Sequence, residues 1–273
     1  MTINCQGNLI DISSPQVMGI LNRTPNSFYD GGKYKTDLDF LNQVEKMLHQ
    51  GAAFIDVGAY SSKPDAEWVS EQEEIDRIRP LVALILKEFP QTLISVDTFR
   101  SEVAKSAVAA GASLINDISA GMLDQNMLQT VGALNVPYIM MHMRGTPQTM
   151  ASLTDYSDIV QEMNGYFSER IAAARKCGIK DIILDPGYGF AKTREQNYEV
   201  LKKQELFGIF ELPLLIGVSR KSMIYKLLDI QPSEALNGTA VLHAVALTKG
   251  ARILRVHDVK EAVEAIDLIA QLS

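Results

Sequence analysis

Short runs of Val, Ile, Leu and Met recur along the chain at 17–21, 54–57, 93–96, 114–118, 138–141, 182–184, 214–218 and 253–256, each closed by a polar residue or a glycine. They are continuously apolar instead of alternating, as strands covered on both faces of a parallel sheet read. The segments between them carry a helical period. Within 37–50, Leu38, Leu41, Val44 and Leu48 form one stripe, and Ser70 with Glu73 three residues on predicts a capping box for the next helix. Further helices are expected at 101–110, 124–134, 155–177, 195–207, 221–228, 233–249 and 259–271, with Gly51, Gly111, Gly178 and Gly250 as left-handed caps.

Strand ends recur at intervals from 22 residues (96 to 118) to 43 residues (141 to 184), each long enough for one helix and its loops. A strand and helix repeated eight times predicts an α/β fold of the (β/α)8 TIM-barrel class, and the right-handed crossover rule leaves one simple closed topology. An open doubly wound sheet is the competing arrangement. Residues 3–12, with Gly7-Asn8 between two short apolar stretches, are expected to form an N-terminal hairpin covering the barrel floor. No linker or repeat divides the chain, so one domain over 1–273 is expected.

Composition narrows the function. The chain is 47% hydrophobic and 22% charged with a net charge of −7, and it has no Lys/Arg-rich tract, which argues against bulk nucleic-acid binding but not against a small anionic substrate. No run of about 18 apolar residues suggests a membrane span. Met1 to Gln6 do not resemble a secretory signal, so a cytoplasmic protein is expected. Cys5 and Cys177 provide neither a disulfide framework nor a Cys-based zinc site.

In a barrel of this kind the chemistry lies at the C-terminal strand ends. These deliver Asn22, Asp56, Asp97, Asn116 with Asp117, His142, Asp185, residues 219–221, and Arg255 with His257 to one mouth. For Asp56 or Asp117 alone, a helix-capping role weighs as much as a ligand contact. Asp97, Asn116, Asp185 and Lys221 suit a flat heterocycle with an amino-amide edge, because a carboxylate accepts two in-plane N–H bonds. Arg255 and His257, two apart on a strand, point to one side and form an anion clamp; the simpler alternative pairs Arg255 with a helix acid. Met140, Met141 and Met143 read as core, with packing against a flat ring as the alternative.

Gly187-Tyr188-Gly189-Phe190-Ala191-Lys192-Thr193 hints at a phosphate loop, but Ala191 stands where the glycine before Lys-Thr is required. Complete G-x-G-x-x-G, H-E-x-x-H and G-x-S-x-G motifs are missing, which removes the support for nicotinamide-fold, zincin and serine-hydrolase readings.

Taken together, Met18 to Pro25, Ser95 to Thr98, Ile115 to Ser119, Met141 to Pro147, Leu184 to Phe190, Gly217 to Ser222 and Arg252 to Asp258 resemble the dihydropteroate synthase family, in order and over almost the whole chain. The resemblance implies a TIM barrel that condenses 6-hydroxymethyl-7,8-dihydropterin diphosphate with p-aminobenzoate for folate synthesis and is the target of sulfonamides. It implies Asp97, Lys221, Arg255 and His257 as catalytic residues, and Asp97, Asn116, Asp185 and Lys221 as the pterin pocket, walled by Phe190, Gly217 and Met140. Asn22 is implied as the Mg²⁺ ligand, and Asn22, Arg255 and His257 as the diphosphate site. Phe28, Ser62, Lys63, Pro64 and Ser222 fall where the family contacts p-aminobenzoate. A homodimer is implied, with the helices of 233–271 as the expected face. Lys63, Arg220, Lys221, Arg255 and His257 are expected to make the mouth locally basic.

The family's first loop commonly carries Asp where this chain has Asn26, and its second carries Glu and Arg where Tyr60 and Lys63 stand. Lys63 keeps the charge but loses the planar two-point grip of Arg. Two other functions share the pterin logic: a methyltransferase barrel serving a corrinoid protein, for which Arg255 and His257 would lack a purpose, and a non-catalytic pterin-binding paralogue.

Overall fold

Eight parallel strands close on themselves in the computed structural model, which describes residues 1–22, 36–59 and 69–272. A hairpin, β1 (Thr2–Cys5) and β2 (Asn8–Asp11), precedes the barrel. The barrel strands are β3 (Gln16–Asn22), β4 (Phe54–Gly58), β5 (Leu93–Asp97), β6 (Leu114–Asp117), β7 (Tyr138–Met141), β8 (Ile182–Asp185), β9 (Leu214–Ile216) and β10 (Ala251–Val256). Each pairs in parallel with its sequence neighbour, and β10 pairs with β3 to complete the closed ring. The barrel expectation holds and the open sheet is excluded.

The described helices are α1 (Asp37–His49), α2 (Glu71–Glu88), α3 (Ser101–Ala109), α4 (Met127–Leu134), α5 (Ile159–Lys176), α6 (Arg194–Lys202), α7 (Ser222–Leu228), α8 (Leu236–Thr248) and α9 (Val259–Ala270). The helix expected over 195–207 is split, because a 3-10 turn over Gln204–Phe210 follows α6. All four expected glycine caps have left-handed φ, from 85° to 109°. Only half of the capping box forms at α2: the Ser70 hydroxyl accepts from Glu73 N–H at 3.2 Å, while the Glu73 carboxylate pairs with Arg77.

The stripe expected on α1 is a correction. Leu38 is 65% exposed, and the buried face is Phe40, Val44 and Met47. The two stripes share Val44 and differ by a small rotation of the helix. Gly19 on β3 decides between them, since a Cβ there would lie 2.6 Å from Met47 Sδ; the missing side chain admits Met47 against the sheet.

Strand side chains alternate between the helix layer and the barrel interior. Val17, Leu21, Ile55, Val57, Ile94, Val96, Ile115 and Leu184 pack with the helices. Met18, Phe54, Leu114, Ile139, Ile183, Leu215 and Ile253 meet inside the barrel, where Ile3, Cys5 and Ile12 from the hairpin segment join them. The hairpin therefore covers the floor as expected. Its turn falls at Gln6 and Gly7, with φ of 53° and 93°, one residue earlier than the sequence suggests. Asn4 N–H donates to Asp181 Oδ2 at 3.0 Å and Gln6 Nε2 to the Ala112 carbonyl at 2.8 Å, which anchors it. Among the described residues, no helix is long and apolar enough to cross a membrane.

Candidate active site

Two residues beyond the floor layer, the inward positions change character. Phe54 gives way to Asp56, Leu114 to Asn116, Ile139 to Met141, Ile183 to Asp185, Leu215 to Gly217 and Ile253 to Arg255. Strand parity carries these side chains to one mouth.

Arg255 links two of the carboxylates. Its Nε donates to Asp56 Oδ2 at 2.6 Å and its Nη2 to Asp97 Oδ2 at 2.8 Å, so its partners are strand acids, not a helix acid. Asn116 Nδ2 also donates to Asp56 Oδ2, at 3.2 Å, which leaves the amide oxygen of Asn116 as the acceptor it can offer a ligand. Asp56 is fully buried and serves the two groups that face the mouth. Burial lifts the Asp97 carboxyl to about 7, with Arg255 opposing the rise. Burial also works against the Arg255 charge, but Asp56 and Asp97 outweigh it and hold the guanidinium protonated more firmly than usual.

Asp185 ends β8 and accepts from Gly187 N–H at 2.7 Å through Oδ1, leaving Oδ2 for a ligand donor. Burial raises its carboxyl, against the pull of Lys221. Lys221 Nζ donates to the Tyr188 carbonyl and lies 4.9 Å from the centre of the Phe190 ring. Burial lowers this ammonium to about 8, with Asp185 resisting. Gly217 lies beneath it; a Cβ there would come within 3.9 Å of Lys221 Nζ.

His257 N–H donates to Ser219 Oγ at 3.2 Å, and the same hydroxyl lies 3.2 Å from His257 Nδ1. The hydroxyl can donate to Nδ1 or accept from it, according to which ring nitrogen carries the proton. Burial and then Arg255 push the imidazole down to about 3, so at neutral pH His257 contributes an N–H donor and no charge. Asn22 ends β3. Its Oδ1 lies 3.2 Å from the place a Cβ on Gly58 would fill, next to the Asp97 side chain. Among the described residues, no group of three or more His, Cys, Asp or Glu could hold a metal. One amide oxygen fits a Mg²⁺ that keeps phosphate and water as its other ligands, and does not fit a protein-only cage.

Two sequence expectations change, and the role left open for Asp117 is decided. Met140 is fully buried in the layer between strands and helices, because parity points it outward; its neighbour Met141 joins Ile118, Met143 and Met150 in the apolar cluster that Phe190 packs against. Arg220 is engaged by an acid of its own. Its Nε and Nη2 grip Asp258 at 2.7 and 2.8 Å, and Nη1 donates to the carbonyls of Pro232 and Ser233. Asp117 faces outward, accepting from Ser119, from Gly121 N–H and from the Tyr138 hydroxyl, so it ties the turn after β6 and caps no helix. Ser222 starts α7 beside Lys221. Phe28, Ser62, Lys63 and Pro64, with Asn26 and Tyr60, lie outside the described residues.

Residues 18–257 match the family of pterin binding enzymes. The chain is 43% identical over 271 residues to the dihydropteroate synthase of Escherichia coli K12, covering 98% of this chain and 95% of the relative. The chain belongs to the dihydropteroate synthase family. The dihydropteroate synthase of Bacillus subtilis is 43% identical over 90% of this chain and 84% of its own. A crystal structure of the Yersinia pestis dihydropteroate synthase with a sulfonamide drug complex superposes with a TM-score of 0.95 at 39% identity, covering 100% of this chain and 98% of that one. The Xanthomonas albilineans dihydropteroate synthase with 4-aminobenzoic acid gives a TM-score of 0.91 at 35% identity, over 99% and 97% of the two chains.

The charge at the described mouth is not the basic one expected: Asp56, Asp97 and Asp185 stand against Lys221 and Arg255. Sequence reasoning gave no role to Lys192 or Tyr188. Tyr188 stood only within the Leu184 to Phe190 segment of the resemblance, and Lys192 only in the failed phosphate-loop pattern.

Proposed function

We propose that this chain joins 6-hydroxymethyl-7,8-dihydropterin diphosphate to p-aminobenzoate, forming 7,8-dihydropteroate and releasing diphosphate. The observation that carries the reading is the convergence of Asp97, Asn116, Asp185 and Lys221 on one barrel mouth, beside Arg255 and His257, in a chain of this family. Asp97, Asp185 and the Asn116 amide oxygen accept from the amino and ring N–H groups of the pterin, while Lys221 donates to a ring acceptor. Phe190, Gly217 and Met141 form the wall.

The methylene carbon on the electron-rich pterin tolerates positive charge, so the C–O bond to diphosphate breaks before the amine attacks, along an SN1-like path. The p-aminobenzoate nitrogen then forms the new C–N bond and gives up a proton. No side-chain nucleophile is needed. Asp97 and Asp185 offset the cation, and the Nη groups of Arg255 with the His257 imidazole receive the departing anion. Mg²⁺, held by Asn22 and by diphosphate oxygens, would add charge neutralisation to the leaving group. Phe28, Ser62, Lys63, Pro64 and Ser222 complete the p-aminobenzoate side.

Two further assignments belong to this reading. A homodimer face is supported by exposed apolar residues on α8 and at the end of α7: Val241 is 55% exposed, and Leu227 and Leu228 are 51% and 52% exposed. A cytoplasmic location suits both substrates.

The test supplies the purified protein with both substrates and Mg²⁺ and measures diphosphate and dihydropteroate. Equal amounts of the two are expected. Methyl transfer to a corrinoid protein without diphosphate release would overturn the reading, as would calorimetry showing pterin diphosphate bound and p-aminobenzoate ignored.

A further inference from the structure

The glycine-rich segment after β8 contains a second buried lysine that the condensation does not use. Gly187, Gly189 and Ala191 take left-handed φ values of 67°, 83° and 46°, and the carbonyls of this loop divide between two lysines. On one side, Gly187 O and Phe190 O accept from Lys192 Nζ at 3.0 and 3.1 Å, and His142 Nδ1 lies 3.0 Å from the same nitrogen. On the other, Tyr188 O accepts from Lys221 Nζ.

The donor count is informative. An ammonium has three N–H donors and no acceptor, and Lys192 faces three acceptors. A charged Lys192 with an unprotonated His142 Nδ1 satisfies all of them. Lys192 is only 9% exposed, and among the described residues no carboxylate makes an ion pair with it. Burial draws it down to about 7, with Asp185 opposing. A buried ammonium held by neutral acceptors is a costly way to tie a loop.

The loop has little room to settle otherwise. A Cβ on Gly187 would come within 2.2 Å of the His142 carbonyl, and the Tyr156 hydroxyl donates to Ala191 O at 2.9 Å. The segment is pinned on its outer side by β7 and by Tyr156, and on its inner side by Lys221.

We propose that Lys192, seated on His142, is a positioning residue for pterin recognition. By gathering the Gly187 and Phe190 carbonyls on one side of the loop, it turns the Tyr188 carbonyl and the Phe190 ring toward Lys221 and fixes the ammonium that meets the pterin. This rests on the reading of the site given above.

Steady-state kinetics with pterin diphosphate and p-aminobenzoate test it. Lys192→Met is expected to raise the KM for pterin diphosphate about tenfold, leave the KM for p-aminobenzoate unchanged, and give no further loss when made in a Lys221→Met background. The same loss in both backgrounds would show a role independent of Lys221 and overturn the proposal. If Lys192→Met does not fold, His142→Leu carries the test: it removes one acceptor and leaves the two carbonyl contacts. A pterin KM raised about threefold and restored by His142→Asn supports the proposal, and an unchanged KM overturns it. A wild type that forms no dihydropteroate overturns the functional reading and this assignment with it. A productive wild type whose folded Lys192→Met variant keeps its pterin KM overturns this assignment alone.

Discussion

Within single strands of this barrel, two residues separate Phe54 from Asp56, Leu114 from Asn116, Ile183 from Asp185 and Ile253 from Arg255. The lower member of each pair faces an apolar floor, and the upper faces carboxylates, an amide and a guanidinium. The floor follows the rule that apolar surface leaves water. The mouth works against folding: burial shifts Asp97, Asp185 and Lys221 toward their neutral forms, and only mutual pairing keeps charge there. Stability and recognition are therefore separated by less than 7 Å of strand, and substitutions can move one without the other.

The largest expected effect breaks the mouth on both counts. Arg255→Met leaves the buried Asp56 and the half-buried Asp97 without their common partner; denaturant titration is expected to show a loss of about 3–5 kcal/mol, and kcat/KM to fall by about 100-fold or more. A variant with wild-type stability would mean that the pair does not tie the mouth together. Phe54→Ala, two residues below Asp56, should cost about 3–5 kcal/mol through the cavity it leaves. Its kcat/KM per folded molecule should match wild type, and a large loss of turnover would show that floor and mouth are not separable.

Asp185→Asn sharpens the contrast from the other side. It removes a carboxylate whose ionisation burial opposes, so the melting temperature should stay level or rise, while pterin affinity drops about 100-fold with the loss of a charged hydrogen bond pair. The smallest effect is pH-dependent. Burial holds His257 at about 3 and His243 at about 4, and it pushes His142 well below the usual range. The unfolded chain takes up protons at these sites below about pH 6.5, and the native one refuses them. Each such histidine therefore contributes stability above pH 6.5 that is lost as pH falls toward its native value. His257→Gln should lose less stability than wild type between about pH 6.5 and 4; identical acid slopes would mean that His257 is not buried as a neutral imidazole.

The strands were legible because each is buried on both faces and bounded by a charge, amide or glycine, so every predicted strand end lies within two residues of the observed one. Side-chain direction was less so. Met140 and Met141 are equally apolar, and only the register that sets Asn116 against Ile139 tells which turns inward. Leu38 satisfied a helical period as well as Met47 did, but the space left by Gly19 on a distant strand selects the face. Arg220 sits next to Lys221 in a basic run, yet its φ of 52° sends it to Asp258, and left-handed backbone at a non-glycine residue carries no sequence mark. Lys192 was visible only as part of a motif that fails.

The hairpin under the barrel has a consequence for the order in which the molecule is completed. Residues 1–12 are synthesised well before the strands they pack against: Ile3, Cys5 and Ile12 join Ile183, Leu215 and Ile253 in one cluster, and β3 acquires its second neighbour only when β10 exists. Contacts spanning nearly the whole chain form late, because the loop entropy must be met before they stabilise anything. A segment made early is thus among the last to be seated. Until then it holds exposed apolar residues next to an open edge strand, and a nascent chain stalled before residue 251 would offer both to its neighbours.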